Sequence, residues 1–249
     1  MDRWLKNLIS RLWIAPILAM GVVFLWLQAQ AFAWRPSDEV IYFVAGNGDG
    51  TFGTPIQLDT ITSGYFQTFI ADFNGDGKQD LALLAWSSPS AIKVRLGNGD
   101  GTFGPDVPLA IEDDVFDFAV ADLSGDGKPD MAVVHGDRYS YPARDVLTLF
   151  SGAGDGTFVS GTSFPLEGRN SGIMAGDLNG DGILDVAVAT WNYYPEAQGP
   201  DGINVFVGVG DGSFVPAGQI LTGRPVGCLA VSDLNGDGLP EFEPDVTVS

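Results

Sequence analysis

The sequence predicts an all-β protein assembled from repeated units of about four short strands each. Three observations carry this. A nine-residue acidic stretch recurs four times, at residues 72–80, 122–130, 177–185 and 233–241. A glycine-rich turn ending in Phe recurs on the same beat, at 46–52, 97–103, 152–158 and 208–214. Between these motifs lie short apolar runs, too brief for helices and rich in β-branched and aromatic types.

The first aspartates of the acidic stretches stand at 72, 122, 177 and 233, so the steps are 50, 55 and 56 residues. A period of that length belongs to a solenoid, a propeller or a tandem array. The apolar runs choose among these. Runs such as 118–121 and 229–232 precede an acidic stretch, and 81–85, 131–134 and 186–189 follow one. Runs 41–45, 92–96, 146–150 and 205–207 precede the glycine turns, whose Asp-Gly pair reads as a tight hairpin. Naming the strands A to D, the acidic loop joins A to B and the glycine turn joins C to D. A meander then places both connections on one face. The expected fold is a β-propeller of four-stranded blades. The chain opens with strands C and D near 40–58 and ends with A and B near 229–249. Three full blades plus a fourth assembled from the two termini are therefore expected, because pairing the terminal strands satisfies open sheet edges. An open ring instead predicts self-association, or a truncated fragment that pairs with another chain.

The amino terminus reads as an address. Arg3, Lys6 and Arg11 precede an uncharged apolar run from 12 to 27, and Ala29-Gln-Ala31 and Ala31-Phe-Ala33 are small-x-small sites. Residues 1–33 are expected to be a signal peptide in helical form, leaving 34–249 as the propeller. The run is short for a membrane span, and no second one follows. The expected location is secreted, periplasmic or cell-surface. A single cysteine, Cys228, excludes an intramolecular disulfide, so an exported chain needs another fastener.

That fastener is read from the acidic loops. Removing Asp2, Arg3, Lys6 and Arg11 with the leader leaves 9 basic and 31 acidic residues. Such a surface excludes nucleic acid and anionic membranes as partners. Twelve of the acids fall at positions 1, 5 and 9 of the four loops. Hard oxygen donors converging on one point, with Gly at position 6 for a sharp bend, suit calcium, and the lack of His or Cys disfavours zinc or copper. Up to four calcium ions are expected. The donors are Asp72, Asn74, Asp76, the Lys78 carbonyl and Asp80; Asp122, Ser124, Asp126, the Lys128 carbonyl and Asp130; Asp177, Asn179, Asp181, the Ile183 carbonyl and Asp185; and Asp233, Asn235, Asp237, the Leu239 carbonyl and Glu241. An EF-hand requires Glu at position 12 and a following helix. Position 12 here is Leu83, Val133, Val188 or Pro244, and strands follow. The aspartates of the glycine turns, Asp49, Asp100, Asp155 and Asp211, read as turn formers.

The motif D-x-[NS]-G-D-G-x-x-[DE] after an apolar strand, with LGNGDGTF-like turns as at 96–103, resembles the FG-GAP repeats of integrin alpha-chain propellers and the VCBS-type repeats of secreted bacterial proteins. The resemblance spans nearly all of 40–241. It implies propeller blades with calcium in the A–B loops and a role in adhesion or recognition. Members commonly have seven blades, and this chain has material for four.

The face opposite the acidic loops carries aromatic residues: Trp86 and Trp191 where strand B ends, and Tyr139, Tyr141, Tyr193 and Tyr194 in the B–C connections. Flat rings with polar tips suit a glycan or an extracellular protein. No paired carboxylates stand apart from the metal positions, and Ser, His and Cys form no constellation along the chain. The reading is therefore a calcium-stabilised binding module rather than an enzyme, with a polysaccharide-acting enzyme as the alternative.

Overall fold

A computed structural model describes residues 22–24, 39–61, 65–85, 90–137, 139, 145–166, 168–191, 201–224, 226–232 and 241–246. All regular structure among them is β, in two compact units divided after residue 62.

The first unit is a three-stranded antiparallel sheet. It holds β1 (Val22–Phe24), β2 (Glu39–Ala45) and β3 (Ile56–Ile61), in the order β1-β2-β3. β2 and β3 are the expected strands C and D. β1 corrects the expected signal helix at the residues described, since Val22 pairs with Ala45 and Phe24 with Phe43 in an extended ladder. The remainder of 1–33 lies outside the described residues. Val22 and Val23 are β-branched, and the neighbouring edge of β2 supplies the N–H and C=O groups that draw them into a sheet.

The second unit contains three four-stranded meanders. They are β4 (Tyr65–Ala71), β5 (Asp80–Ala85), β6 (Ala91–Arg95) and β7 (Val107–Pro108); then β8 (Asp114–Ala121), β9 (Asp130–Gly136), β10 (Val146–Gly152) and β11 (Phe158–Pro165); then β12 (Arg169–Gly176), β13 (Asp185–Trp191), β14 (Gly202–Gly208) and β15 (Phe214–Leu221). A two-stranded sheet of β16 (Val226–Ser232) and β17 (Glu241–Val246) follows. Each meander runs A to D as expected, and the sheets are propeller-like blades. Among the described residues the expected fourth blade is not formed: β16 pairs only with β17, and β2 pairs with β1 and β3. No sheet among the described residues closes on itself. β1 meets the hydrogen-bonding demand of the β2 edge, which removes the drive for a terminal strand B to dock there.

The A strands are innermost, with β12 beside both β8 and β16. Successive sheets stack face to face. Ala82, Leu84, Ile92 and Val94 pack with Phe118, Met131, Val133 and Phe150. On the other side of the same blade, Ala132, Val134, Leu147 and Leu149 pack with Val186, Val188 and Phe206. Neighbouring residues of strand B thus serve opposite cores, which is why these strands read as continuous apolar runs instead of alternating ones. The outer strands β11 and β15 are mostly exposed.

A carboxylate sits among the inner strands. Asp117 on β8 accepts the Ile173 N–H of β12 at 3.1 Å and the Phe118 N–H at 2.8 Å. Burial pushes its carboxyl up to about 6 from the usual 3.8, against those N–H groups and the side chains of Gln67 and Asn170. A raised folded value means the proton is held more tightly in the native state. Its stabilising contribution is full below the unfolded value and is lost as pH rises through 6. Between pH 7 and 5 this group is expected to add about 1 kcal/mol of stability. Urea melts at the two pH values check it: Asp117→Asn should lose that part of the pH slope, and an unchanged slope contradicts the assignment.

Candidate functional site

The acidic loops are the most regular feature of the second unit. In the first, Gly75 and Gly77 have φ of 71° and 80°, a region that side chains rarely adopt. The second and third loops repeat this at Gly125, Gly127, Gly180 and Gly182. Position 4 therefore needs glycine as much as position 6, which sequence reasoning assigned alone.

These glycines wrap the backbone around the first aspartate. Asp72 accepts the N–H groups of Asp76 at 3.1 Å and Gly77 at 2.7 Å. Asp122 accepts those of Asp126 and Gly127 at 3.0 and 2.9 Å. Asp177 accepts those of Gly180, Asp181 and Gly182 at 2.7, 3.2 and 2.9 Å. Position 5 caps the next turn, with Asp76, Asp126 and Asp181 accepting the N–H of residues 78, 128 and 183. These groups stay exposed. The N–H of Lys78, then its ammonium, hold the Asp76 carboxyl below the usual range, and Lys128 does the same to Asp126. Asp177 is lowered first by the Gly182 N–H.

Position 9 is different. Asp80, Asp130 and Asp185 are buried, at 0, 3 and 0 % exposure. One oxygen of each reaches back to the loop entry: Asp80 to the Phe73 N–H (2.8 Å), Asp130 to Ser124 (2.8 Å), Asp185 to Leu178 (2.9 Å). The other oxygen accepts the N–H of the glycine that opens the C–D turn of the same blade: Gly97 (2.7 Å), Gly152 (2.8 Å) or Gly208 (2.9 Å). Burial raises the Asp80 carboxyl, opposed by those two N–H groups, while Asp72 and Asp76 push it further up. Expected as a metal ligand, this residue is the bolt between the A–B loop and the C–D turn.

The glycine at the far end of the bolt has no room for a side chain. A Cβ on Gly97 would lie 2.1 Å from the Gln79 carbonyl oxygen; on Gly152, 2.2 Å from that of Pro129; on Gly208, 2.3 Å from that of Leu184. The C–D turns themselves are held by their aspartates, as expected. The Oδ1 atoms of Asp49, Asp100, Asp155 and Asp211 each accept the N–H and the hydroxyl two residues on, at Thr51, Thr102, Thr157 and Ser213.

The loop also joins neighbouring blades. Gly156 in the second blade's turn donates its N–H to the Phe73 carbonyl in the first blade's loop at 3.0 Å. Phe158 meets Phe73 edge to face, centroids 5.8 Å apart. Phe214 and Leu123 share a core in the same relation one blade later. The apolar residue at loop position 2 is the sequence signal for this contact, and its partner is the Phe that ends each glycine turn. Position 7 is not free either: a Cβ on Gly99 would meet the Lys78 stem at 3.0 Å, and one on Gly154 the Lys128 stem at 2.9 Å.

Residues 72–133 and 136–188 match the family model of the FG-GAP-like repeat. The second unit carries FG-GAP-like repeats. A search of curated proteins finds no match. The first matched segment begins on the first acidic loop and takes in the second, and the segment from residue 136 takes in the third.

Among the described residues, no three His, Cys, Asp or Glu side chains come together as a preformed metal cluster. The oxygens of positions 1 and 5, and those of Asn74 and Asn179 at position 3, are turned onto the loop's own N–H groups, and the ammonium of Lys78 lies 3.1 Å from Asp76 Oδ2 and that of Lys128 3.2 Å from Asp126 Oδ2. Asp233, Asn235, Asp237 and Leu239 lie outside the described residues, and of Glu241 only its place at the start of β17 is described. On the opposite rim, Tyr139 is 86 % exposed and Trp191 is half-buried across from Arg169. Trp86, Tyr141, Tyr193 and Tyr194 lie outside the described residues. No helix among the described residues is long and apolar enough to cross a membrane.

Proposed function

We propose that this FG-GAP repeat protein is a secreted or cell-surface recognition module, and that its acidic loops take calcium in a structural role. The observation that carries the reading is the shared conformation of three loops. In each, the exposed carboxylate of position 5 and the half-buried carboxylate of position 1 stand with the polar side chain of position 3 on one rim, above a buried bolt at position 9. Those donors are all oxygen, which fits a hard cation. The donors are Asp72, Asn74 and Asp76; Asp122, Ser124 and Asp126; Asp177, Asn179 and Asp181, each set with the carbonyl of the seventh residue. A bound ion supplies the positive charge that lets two carboxylates face one another. In two loops a lysine already gives part of that charge to position 5. In the third, Asn179 Nδ2 donates to Asp181 at 2.9 Å instead. The partner is a glycan or an extracellular protein, taken up on the rim that presents Tyr139 and Trp191.

Calorimetry and thermal melts with and without chelator test this. Dissociation constants of about 10⁻⁴–10⁻³ M are expected, in the range of extracellular modules. Calcium at ten times that value should add about 1.4 kcal/mol per site. The double variant Lys78→Met, Lys128→Met should bind calcium more tightly by roughly 3–10-fold in its two altered loops, since a competing charge leaves while the packed stem stays. A glycan array probed with and without calcium addresses the partner. No binding heat and an unchanged Tm would defeat the calcium role.

A further inference from the structure

A chain of polar side chains crosses the second blade at the end away from the acidic loops. His135, the sole histidine, stands on β9 with 15 % of its side chain exposed. Its Nε2 is 2.8 Å from Thr148 Oγ1 on β10. Thr148 Oγ1 is 2.8 Å from Ser163 Oγ on β11. On the other side of the ring, Asp113 Oδ2 is 3.4 Å from Nδ1, a buried nitrogen with no hydrogen bond. Thr148 is 3 % exposed, while Ser163 opens to solvent.

These distances assign the protons. A carboxylate facing Nδ1 favours the tautomer with hydrogen on that nitrogen. Nε2 is then an acceptor and takes the Thr148 hydroxyl hydrogen, so Thr148 Oγ1 accepts from Ser163. Every hydroxyl points its proton toward the imidazole, the arrangement that activates a weak nucleophile through an adjacent base. The β10–β11 ladder skips register between Thr148 and Phe150, opposite Gly161 and Thr162, and a bulge re-aims the side chains beside it.

The other blades serve as internal controls. Five residues past the ninth loop position, the third blade has Thr190, bonded to Asn204 Nδ2 at 3.1 Å, with Gln219 opposite Asn204. The first blade has Ala85, Lys93 and Pro108 at these places. A cross-strand polar pair is thus tolerated there, but only the second blade combines a base with two hydroxyls.

We propose that Ser163 is a base-activated nucleophile for uncharged carboxylic esters. Ser163 Oγ attacks the ester carbonyl while its proton passes to Thr148 Oγ1 and the threonine's own proton passes to His135 Nε2. The alcohol leaves with a proton returned along the same chain, giving acyl-Ser163. Water, deprotonated by the same route, then releases the acid. The reaction needs only ester and water. A net charge of −20 keeps anionic phosphate donors away and leaves neutral esters as the accessible class. Ser163 is the catalytic residue; Thr148, His135 and Asp113 position and relay.

The test treats the full chain with p-nitrophenyl acetate and maps acetyl groups by mass spectrometry. Acetylation of Ser163 is expected at least 10-fold faster than at any other serine. It should vanish in Ser163→Ala and fall at least 10-fold in His135→Gln and Thr148→Val, while Thr148→Ser keeps it. Thermal melts confirm that each variant is folded. Even labelling of all exposed serines, an adduct on His135 itself, or a Ser163 rate indifferent to His135→Gln in folded protein would overturn the proposal.

Discussion

Asp130→Ala is expected to destabilise the second unit by about 3–5 kcal/mol in the presence of chelator, while Asp126→Ala costs less than about 1 kcal/mol under the same conditions. The contrast follows from what each carboxylate touches. Asp130 is buried and accepts two backbone N–H groups, from Ser124 and Gly152. Hydrogen bonds to a charged acceptor contribute about 1.5–3 kcal/mol each, and removing the acceptor leaves both donors unpaired inside the protein. Asp126 is exposed, with one backbone N–H and a solvent-screened lysine. Chelator matters because both positions are proposed calcium donors or neighbours of them, and only the metal-free comparison isolates the bolt. Denaturant melts measure it. Equal losses for the two variants would mean that position 9 acts through the ion and not through its N–H partners. Asp80 and Asp185, with the same pair of bonds, should behave as Asp130 does.

The bolt explains what could and could not be read from the chain. Period, strand number and the order A to D were legible because short apolar runs and Asp-Gly turns are local signals. So was the role of the glycine-turn aspartates, whose bonds reach only two residues ahead. The bolt made by position 9 is not legible in the sequence because its second partner, Gly97, Gly152 or Gly208, lies 17, 22 or 23 residues away and is brought back only by the B–C hairpin. The His135–Thr148–Ser163 chain was invisible for the same reason, since cross-strand register decides which side chains meet. Blade closure was not legible at all. A strand edge accepts whatever extended segment reaches it, and Val22–Phe24 has the β-branched composition to do so while also reading as a leader.

Gly152→Ala is the second large effect expected, a loss of about 3–5 kcal/mol and, for a unit of this size, roughly 10 °C in Tm. Gly152 closes β10 just where the C–D turn begins, and its hydrogen-side face lies against the Pro129 backbone. The new methyl carbon would sit 2.2 Å from the Pro129 carbonyl oxygen, far inside contact distance. Backbone is on both sides of the clash, so no rotamer relieves it. The loop and the turn must separate, and separation lengthens the Gly152 N–H bond to Asp130. It also pulls the turn from Phe73, where the Gly156 N–H and the Phe158 ring seat the second blade on the first. One methyl group thus loosens a blade internally and at its neighbour. Two glycines serve as controls: a Cβ on Gly104 or Gly176 meets its nearest atom at 3.5 or 3.9 Å, with no positive φ to strain. Alanine at either should change Tm by less than about 2 °C. Comparable losses at all three would show that the acidic loop and glycine turn do not press together as described, and that the penalty comes from general β-strand substitution.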